Sequence, residues 1–212
     1  MSLNEIEKLK EINRMATRSA DRIAESMSVM FGLDVAMSIS SVNMVSVANI
    51  PKFVGIMEDS TVVGSFIAFN GNLNGSVVCV LSIKCARDIS KILLAGMEEE
   101  DRDPLAVLTE MEQSSIMELG NIITSSFIDV WANSLSVVVN QEPPVFSCDY
   151  ISNIIETSMS RNSAEGDFAF MFDSLMQVTN HDIDFEVLVL PDLDSMQIIF
   201  DKIPAGGVII NE

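Results

Sequence analysis

Four polar side chains in one segment are spaced so that a helix would bring them together. The segment SSIMELGNIITSSFIDVWANS spans residues 114–134 and contains Ser114, Glu118, Asn121 and Ser125. A helix turns about 100° per residue, so these four positions fall on one narrow stripe. The stripe offers a carboxylate, which pairs with cations, and an amide, which both donates and accepts hydrogen bonds. Glu118 and Asn121 are therefore expected to project outward together, one turn apart.

The other side of the same helix is apolar, which predicts that it is buried. Apolar residues occupy five positions roughly opposite the polar stripe: Ile116, Leu119, Ile123, Phe127 and Val130. Gly120 stands beside Asn121, where glycine costs helix stability relative to alanine. We interpret Gly120 as a position that leaves the stripe unshielded, so that a large partner can approach closely. A solvated helix face would show similar residues, and on this segment alone that alternative stays open.

The composition argues against binding of nucleic acid and against a membrane span. The 212 residues are 48% hydrophobic and carry a formal net charge of −19. This charge repels nucleic-acid phosphates and favours a partner with a basic face, although it also keeps a Met-rich protein in solution or suits a saline cytoplasm. No stretch approaches the ~18 apolar residues that a membrane helix requires, so no membrane insertion is expected. The amphipathic N-terminus, MSLNEIEKLKEINRM, differs from a signal peptide, which favours a cytoplasmic location.

Other groups with chemical potential are sparse and have simpler explanations. His181 is the only histidine, and together with Asp182 and Asp184 it is interpreted as part of a solvated turn rather than a metal site. The NGNLNG segment is interpreted as a hairpin turn and not as a phosphate loop. Three cysteines form no CxxC pair and stand in or beside apolar sequence, which predicts buried free thiols: Cys79, Cys85 and Cys148.

The chain is interpreted as two halves with the same order of elements. In the first half, a helix from Asn4 to about Phe31 ends at Gly32, a usual C-terminal cap. The alternating stretch VAMSISSVNMVSVANI predicts a strand, VVGSFIAFNGNLNGSVVCVLSIK predicts a hairpin, and CARDISKILLAG predicts a helix closed by Gly96. The acidic run EEEDRDP that follows is interpreted as a linker.

The second half repeats this order. A long helix is predicted from Pro104, a favourable first helical residue, to about Asn133. It precedes the β-stretch SVVVNQEPPVFSC, the short helix YISNIIETSM, the strands DFAFMFDSLMQV and DIDFEVLVLP with the turn TNHD, the helix DLDSMQIIFDKI and a loose tail, PAGGVIINE. We therefore predict an α+β fold in a single domain, 1–212, made of two pseudo-symmetric halves, 1–98 and 104–204, that share one antiparallel sheet flanked by helices.

The polar stripe resembles the active-site pattern of the CheC/CheX/FliY phosphatases. In that family an Asp or Ser is followed by a Glu, then an Asn, then a distant Pro. Here Ser114-x3-Glu118-x2-Asn121 is followed, after 22 residues, by Pro144. The string MELGNIITSSF is close to the second active-site helix of CheC proteins. Chain length and the two-half organisation also agree, so the resemblance covers essentially the whole chain and implies a CheC-like fold.

Members of this family carry a second copy of the helix in the first half, and here that copy is degenerate. Alignment of GLDVAMSISSV with SLSVVVNQEPPV puts Lys10, Arg14 and Thr17 at the three positions of the pattern, and Ser40 in place of the proline. The arginine reverses the required charge and the threonine lacks an amide. We infer that the first site is inactive.

A rival register with the same spacing exists in the first half. It consists of Asp21-x3-Glu25-x2-Ser28 followed by Pro51. This register leaves no room for the usual helix before Gly32, and it also lacks the asparagine.

The resemblance implies a phosphatase that acts on the phosphoaspartate of a CheY-type response regulator in chemotaxis. An acyl phosphate is already activated, so positioning a water in line with the leaving group is sufficient chemistry. The resemblance implies that Asn121 orients this water and that Glu118 pairs with the lysine of the receiver domain. Ser114, Ser125 and Pro144 are expected to contact the partner. No cofactor of the chain's own is implied, because the receiver domain carries the Mg²⁺.

A non-catalytic role is the main alternative. With one of two sites lost, the protein would serve as a chemotaxis adaptor that binds phosphorylated CheY, a CheD-like deamidase, or both. A third interpretation is a component of the motor switch that holds phosphorylated CheY as a reservoir. The intact Glu118 and Asn121 favour catalysis.

Overall fold

Helices and strands alternate along the chain in the predicted order. The computed structural model describes residues 3–53, 61–95, 107–160, 168–178 and 181–203. The helices in these ranges are α1 (Leu3–Phe31), α2 (Ile50–Phe53), α3 (Ile83–Leu93), α4 (Glu110–Leu135), α5 (Ile151–Ser160) and α6 (Leu193–Lys202). The strands are β1 (Val35–Ser46), β2 (Thr61–Gly71), β3 (Gly75–Ser82), β4 (Val139–Gln141), β5 (Val145–Tyr150), β6 (Phe168–Val178) and β7 (His181–Pro191).

The strands form one antiparallel sheet in which the two halves interlock. The order along the sheet is β1-β6-β7-β3-β2, and both β4 and β5 pair with β2 at the far edge. The first strand of each half therefore pairs with the other half, β1 with β6 and β5 with β2. At the centre β3 pairs with β7, where Val78 lies opposite Leu188. The predicted α+β fold of two pseudo-symmetric halves sharing one sheet is confirmed, and neither half completes its sheet alone.

Helices cover both faces of the sheet, and each face has its own apolar core. The larger core lies between the sheet and helices α1, α3, α4 and α6. Aromatic rings fill its centre, with 5.1 Å between the centroids of Phe127 and Phe172 and 5.4 Å between those of Trp131 and Phe170. The smaller core surrounds Phe66 on the other face, against α5. Helices α1 and α4 therefore lie together on one face.

Helices α1 and α4 run antiparallel to each other. Helix α6 contacts the start of α1, where Lys8 Nζ donates to the carbonyl of Phe200 at 2.7 Å. The same helix contacts the end of α4, where Lys202 Nζ donates to the carbonyl of Leu135 at 3.1 Å. Between these ends, Arg22 of α1 forms an ion pair with Asp129 of α4 at 3.0 Å. The C-terminal half of α1 therefore lies beside the N-terminal half of α4.

Helix α4 begins later than predicted. Val107 and Leu108 are not helical, and Thr109 is the N-cap residue. The Thr109 hydroxyl accepts a hydrogen bond from the backbone N–H of Glu112 at 3.2 Å, and the Glu112 carboxylate accepts one from the N–H of Thr109 at 2.8 Å. This capping box satisfies two N–H groups that the first turn would otherwise leave unpaired. The predicted start at Pro104 is wrong because this motif sets the first turn.

The end of the β6–β7 hairpin also differs from the prediction. His181 and Asp182 belong to β7, where they pair with Val178 and Gln177 of β6. The side chain of Gln177 donates to the Asp182 carboxylate at 3.0 Å. The assignment of His181, Asp182 and Asp184 to a turn is wrong, because ladder pairing continues to the end of both strands.

The three cysteines are free, but they differ in burial. Cys79 is fully buried, whereas Cys85 and Cys148 are half-buried, so the prediction of buried thiols is confirmed for Cys79 alone. Burial raises the pKa of the Cys79 thiol far above its usual range, and the charge of Glu186 raises it further. Burial and the neighbouring Asp149 also raise the pKa of Cys148. Both thiols are therefore protonated and poor nucleophiles.

Several predicted features lie outside the described residues. They are the helix cap at Gly96, the acidic linker with the half boundaries at 98 and 104, the turn residues 179–180 and the tail 204–212. In the part of the chain that the structure describes, no helix is long and apolar enough to cross a membrane.

A carboxyl pair links β6 and β7 on the face that carries α5. Glu186 lies opposite Asp173 in the strand register and hydrogen-bonds to it. Ser41 of β1 donates a second hydrogen bond to Asp173. Burial, followed by the hydrogen bond to Asp173 and the charges of Asp173 and Asp184, raises the pKa of Glu186 to about 9. Glu186 is therefore protonated in the folded protein at neutral pH.

Replacement of Glu186 by glutamine is expected to stabilise the protein above neutral pH. The folded pKa of about 9 exceeds the ordinary value of 4.5, so protonated Glu186 favours folding below pH 4.5 and this contribution is lost as the pH rises through 9. Glutamine keeps a donor for Asp173 and carries no charge. Urea unfolding between about pH 6 and pH 9 should show a flatter stability curve for Glu186→Gln. The exposed control Glu25→Gln should keep the wild-type slope, and a wild-type slope in both variants would contradict the prediction.

Candidate functional site

The polar stripe lies on the outer side of α4, as predicted. Ser114 and Glu118 are exposed, and Asn121 and Ser125 are half-buried. Four of the five apolar positions predicted to face inward are buried, and Val130 is half-buried. The geometry of the stripe is thus confirmed, while the roles of its members stay predictions.

The amide of Asn121 is held by its neighbour one turn later. Ser125 Oγ donates to Asn121 Oδ1 at 3.3 Å. The adjacent Thr124 hydroxyl donates instead to the carbonyl of Gly120 at 2.6 Å, inside the helix. With its oxygen engaged by Ser125, Asn121 presents its amide nitrogen as a donor toward the outside. Ser125 therefore acts on Asn121, whereas the sequence suggested only a contact with the partner.

Glu118 presents a carboxylate that lacks a cationic partner within the described residues. The other acidic side chain on this side of α4, Asp129, pairs with Arg22. Glu118 is exposed, one turn before Asn121, and takes part in no ion pair or side-chain hydrogen bond among the residues described. A carboxylate in this setting is available to a cation from another molecule.

Gly120 faces the sheet and not the partner side of α4. It is buried, and a Cβ atom at this position would overlap Cβ and Oγ of Ser65 in β2. The interpretation that Gly120 exposes the stripe is wrong, because the missing side chain lets α4 approach β2 closely. The sequence did carry a signal for this contact, since a glycine inside a helical pattern often marks close packing.

Pro144 lies near the same part of α4. It belongs to the short segment between β4 and β5, is half-buried, and precedes Phe146 by two residues. Phe146 pairs with Ser65, the residue that contacts Gly120, and it packs against the core beneath α4. Since alternate residues of an extended chain share one face, Pro144 is placed on the α4 side. The fold therefore brings Pro144 toward Asn121.

The corresponding surface of α1 has different chemistry. Lys10, Arg14 and Thr17 are exposed, Arg14 pairs with Glu11 at 2.7 Å, and the Thr17 hydroxyl donates to a carbonyl of its own helix. Ser40, the counterpart of Pro144, lies at a bulge in β1. This surface offers no amide beside a free carboxylate at these positions, which supports the inference of an inactive first site.

The rival register in the first half falls on the last part of α1. Asp21 and Glu25 are exposed and Ser28 is half-buried, while the helix continues to Phe31 and ends at Gly32, whose φ is +64°. These three side chains do share an outer face. They do not combine a carboxylate with an amide.

Metal-binding groups were sought across the described ranges. Among these residues, no three His, Cys, Asp or Glu side chains are arranged to hold a metal ion. The acidic side chains of β6 and β7 satisfy one another and Ser41 through hydrogen bonds. No metal is therefore assigned to the residues of α4.

Comparison with known proteins identifies similar chains over nearly the whole length. A match to the CheC-like family covers residues 111–148, which include Glu118, Asn121 and Pro144. CheC1 of Halobacterium salinarum is 26% identical over 199 residues, which are 94% of this chain and 97% of that protein. The CheY-P phosphatase CheC of Bacillus subtilis is 22% identical over 202 residues, 94% of this chain and 95% of that protein.

The fold is also found in a solved structure. The crystal structure of Thermotoga maritima FliY superposes with a TM-score of 0.71 at 16% identity, and the match covers 93% of this chain and 96% of that one. The family match falls on the segment that carries the polar stripe, and both relatives extend the similarity to both halves. The chain is therefore a member of the CheC-like family.

Proposed function

We propose that this protein removes the phosphoryl group from the phosphoaspartate of a CheY-type response regulator in chemotaxis. The observation that carries the proposal is the outward pair on α4, in which a carboxylate without an ion-pair partner stands one turn before an amide held by Ser125. The similarity to the CheY-P phosphatase of Bacillus subtilis over 94% of the chain supports it.

The reaction requires positioning of water more than activation of a nucleophile. Asn121 Nδ2 donates to the water oxygen, whose remaining lone pair points at the phosphorus. The bond from the water oxygen to phosphorus forms as the bond from phosphorus to the aspartyl oxygen breaks. The products are the free carboxylate and inorganic phosphate, which also takes up the proton that the water loses. Ser125 contributes by fixing the direction of the amide.

The partner supplies the remaining charges. Glu118 pairs with the lysine of the receiver domain and docks α4 over the phosphoaspartate. This ion pair is partly desolvated at the interface, so it contributes more than an exposed pair does. Ser114 and Pro144 contact the receiver domain on either side. The Mg²⁺ belongs to the receiver domain, in keeping with the assignment of no metal to α4.

The proposal is tested by the lifetime of the phosphorylated cognate CheY with and without this protein. Wild-type protein should shorten the lifetime in proportion to its concentration. Glu118→Gln removes the charge that pairs with the lysine and should raise the KM by about 10-fold, in line with losing one interfacial charge pair. Glu156→Gln, an exposed position on α5, is the control and should behave as wild type.

The same measurement separates catalysis from an adaptor role. If the protein binds phosphorylated CheY but leaves its lifetime unchanged, the adaptor becomes the better description, with phosphorylated CheY or a CheD-like deamidase as its ligand. If no binding is detected, the assignment of the partner is wrong. The charge reversal at Arg14 predicts that all activity depends on α4.

A further inference from the structure

Two apolar side chains are exposed at the C-terminal end of α1. Val29 is 81% exposed and Met30 is 54% exposed. The large apolar residues that α1 buries, such as Ile23 and Met27, point to the core instead. We propose that Val29 and Met30, here called the apolar shelf, form part of the surface that receives the phosphorylated receiver domain. This inference rests on the proposed function and adds a second contact area to the same site.

The shelf lies at the level of Asn121 along the helix pair. The Arg22–Asp129 ion pair fixes one level at which the antiparallel helices α1 and α4 meet. At about 1.5 Å per residue, Val29 lies some 10 Å further along α1. The same distance back along α4 from Asp129 leads to Ile122, the neighbour of Asn121.

The shelf also lies on the side of α1 that faces the polar stripe. Val29 follows Arg22 by seven residues, which is two helical turns, so both share one face. Arg22 reaches Asp129, and Asp129 continues the stripe of Ser125 and Asn121 at four-residue spacing. Val29 therefore flanks Asn121 across the groove between the two helices.

An apolar neighbour suits the chemistry of the stripe. A partner side chain packed on the shelf excludes water from the groove, and a lower local dielectric strengthens the pair between Glu118 and the receiver lysine. Methionine is flexible and adapts to the shape of a partner. Interfaces commonly place such apolar contacts around a few polar anchors. The expected partner surface therefore carries an apolar side chain close to the lysine.

The occupant is assigned as the receiver domain rather than a second copy of this chain. The shelf is continuous with the Glu118–Asn121 stripe, so a molecule that covers the stripe also covers the shelf. Two copies of this chain would each carry a formal net charge of −19, and this repulsion opposes their association.

The test replaces the shelf by polar side chains of similar shape. The double variant Val29→Thr, Met30→Gln is compared with Val138→Thr, an equally simple change at a 68% exposed valine beyond the other end of α4. The probe is the cognate CheY receiver domain bound to Mg²⁺ and beryllofluoride. The double variant should raise the Kd for this probe and the KM for phosphorylated CheY by about 10-fold, with kcat within about twofold of wild type.

The outcomes are distinguishable from failure of the proposed function. An unchanged Kd in the double variant, with an active wild type, overturns the shelf and leaves the function intact. A weaker Kd with a wild type that does not shorten the lifetime supports the shelf and rejects the phosphatase. If light scattering shows that the substitutions dissociate a dimer without changing the Kd for the probe, the shelf is a self-association contact and the inference fails. Thermal unfolding should match wild type, and Val29→Thr alone provides a milder variant.

Discussion

Asn121→Ala is expected to lower the maximal rate of phosphate release by about 100-fold, the scale on which misplacement of a reacting group acts. Asn121 sits where a helix presents its amide outward, and Ser125 holds its oxygen at 3.3 Å. Alanine leaves the helix intact but provides no donor for the water. The affinity for beryllofluoride-bound CheY should stay within about twofold, because Glu118 and its exposed carboxylate are unchanged.

The control for this variant is Asn133→Ala. Asn133 is an exposed asparagine of the same helix, so its replacement repeats the change in composition away from the stripe. Its rate and affinity should equal those of wild type. Single-turnover decay of phosphorylated CheY at saturating protein measures the maximal rate, and calorimetric titration measures the affinity. A loss of affinity as large as the loss of rate would identify Asn121 as a docking residue instead.

The parts of the site that the sequence predicts are those set by local periodicity. The stripe from Ser114 to Ser125 follows from the rotation of one helix, and the burial of Phe127 follows from the same pattern. The hairpin β2–β3 is equally local, since its turn residues lie between two apolar runs. The first-half substitutions at Arg14 and Thr17 needed only an alignment of two segments of the chain.

The parts that the sequence did not predict depend on contacts between distant segments. Gly120 adjoins the stripe in sequence, yet its role is decided by Ser65, which belongs to the other half. The level of Val29 relative to Asn121 depends on the antiparallel pairing of α1 and α4, which no single segment determines. The start of α4 is a different case, because Thr109 and Glu112 do form a readable capping box. There the Asp-Pro signal at 103–104 was a competing start.

Gly120→Ala is expected to destabilise the protein by about 2 kcal/mol, the usual cost of overpacking a buried site. In an open helix the same change would stabilise by about 1 kcal/mol, so the sign of the effect is informative. The added Cβ would overlap Ser65 and push α4 away from β2. Because Asn121 is the next residue, the phosphatase rate should fall as well. Urea unfolding and the lifetime of phosphorylated CheY measure the two effects.

Ser65→Gly is the matched compensating change, since it removes both atoms that the new methyl group would meet. Alone it should destabilise, because a glycine inside a strand costs roughly 0.5–1 kcal/mol. Combined with Gly120→Ala, it should restore most of the stability and rate, which gives a favourable coupling energy in a double-mutant cycle. Ser65→Ala is the control: it keeps the Cβ atom and should not rescue, although it removes a buried hydroxyl that has no partner in the described structure. Additive effects in the Ser65→Gly pair, or a stabilising Gly120→Ala, would show that the helix–strand contact does not position Asn121.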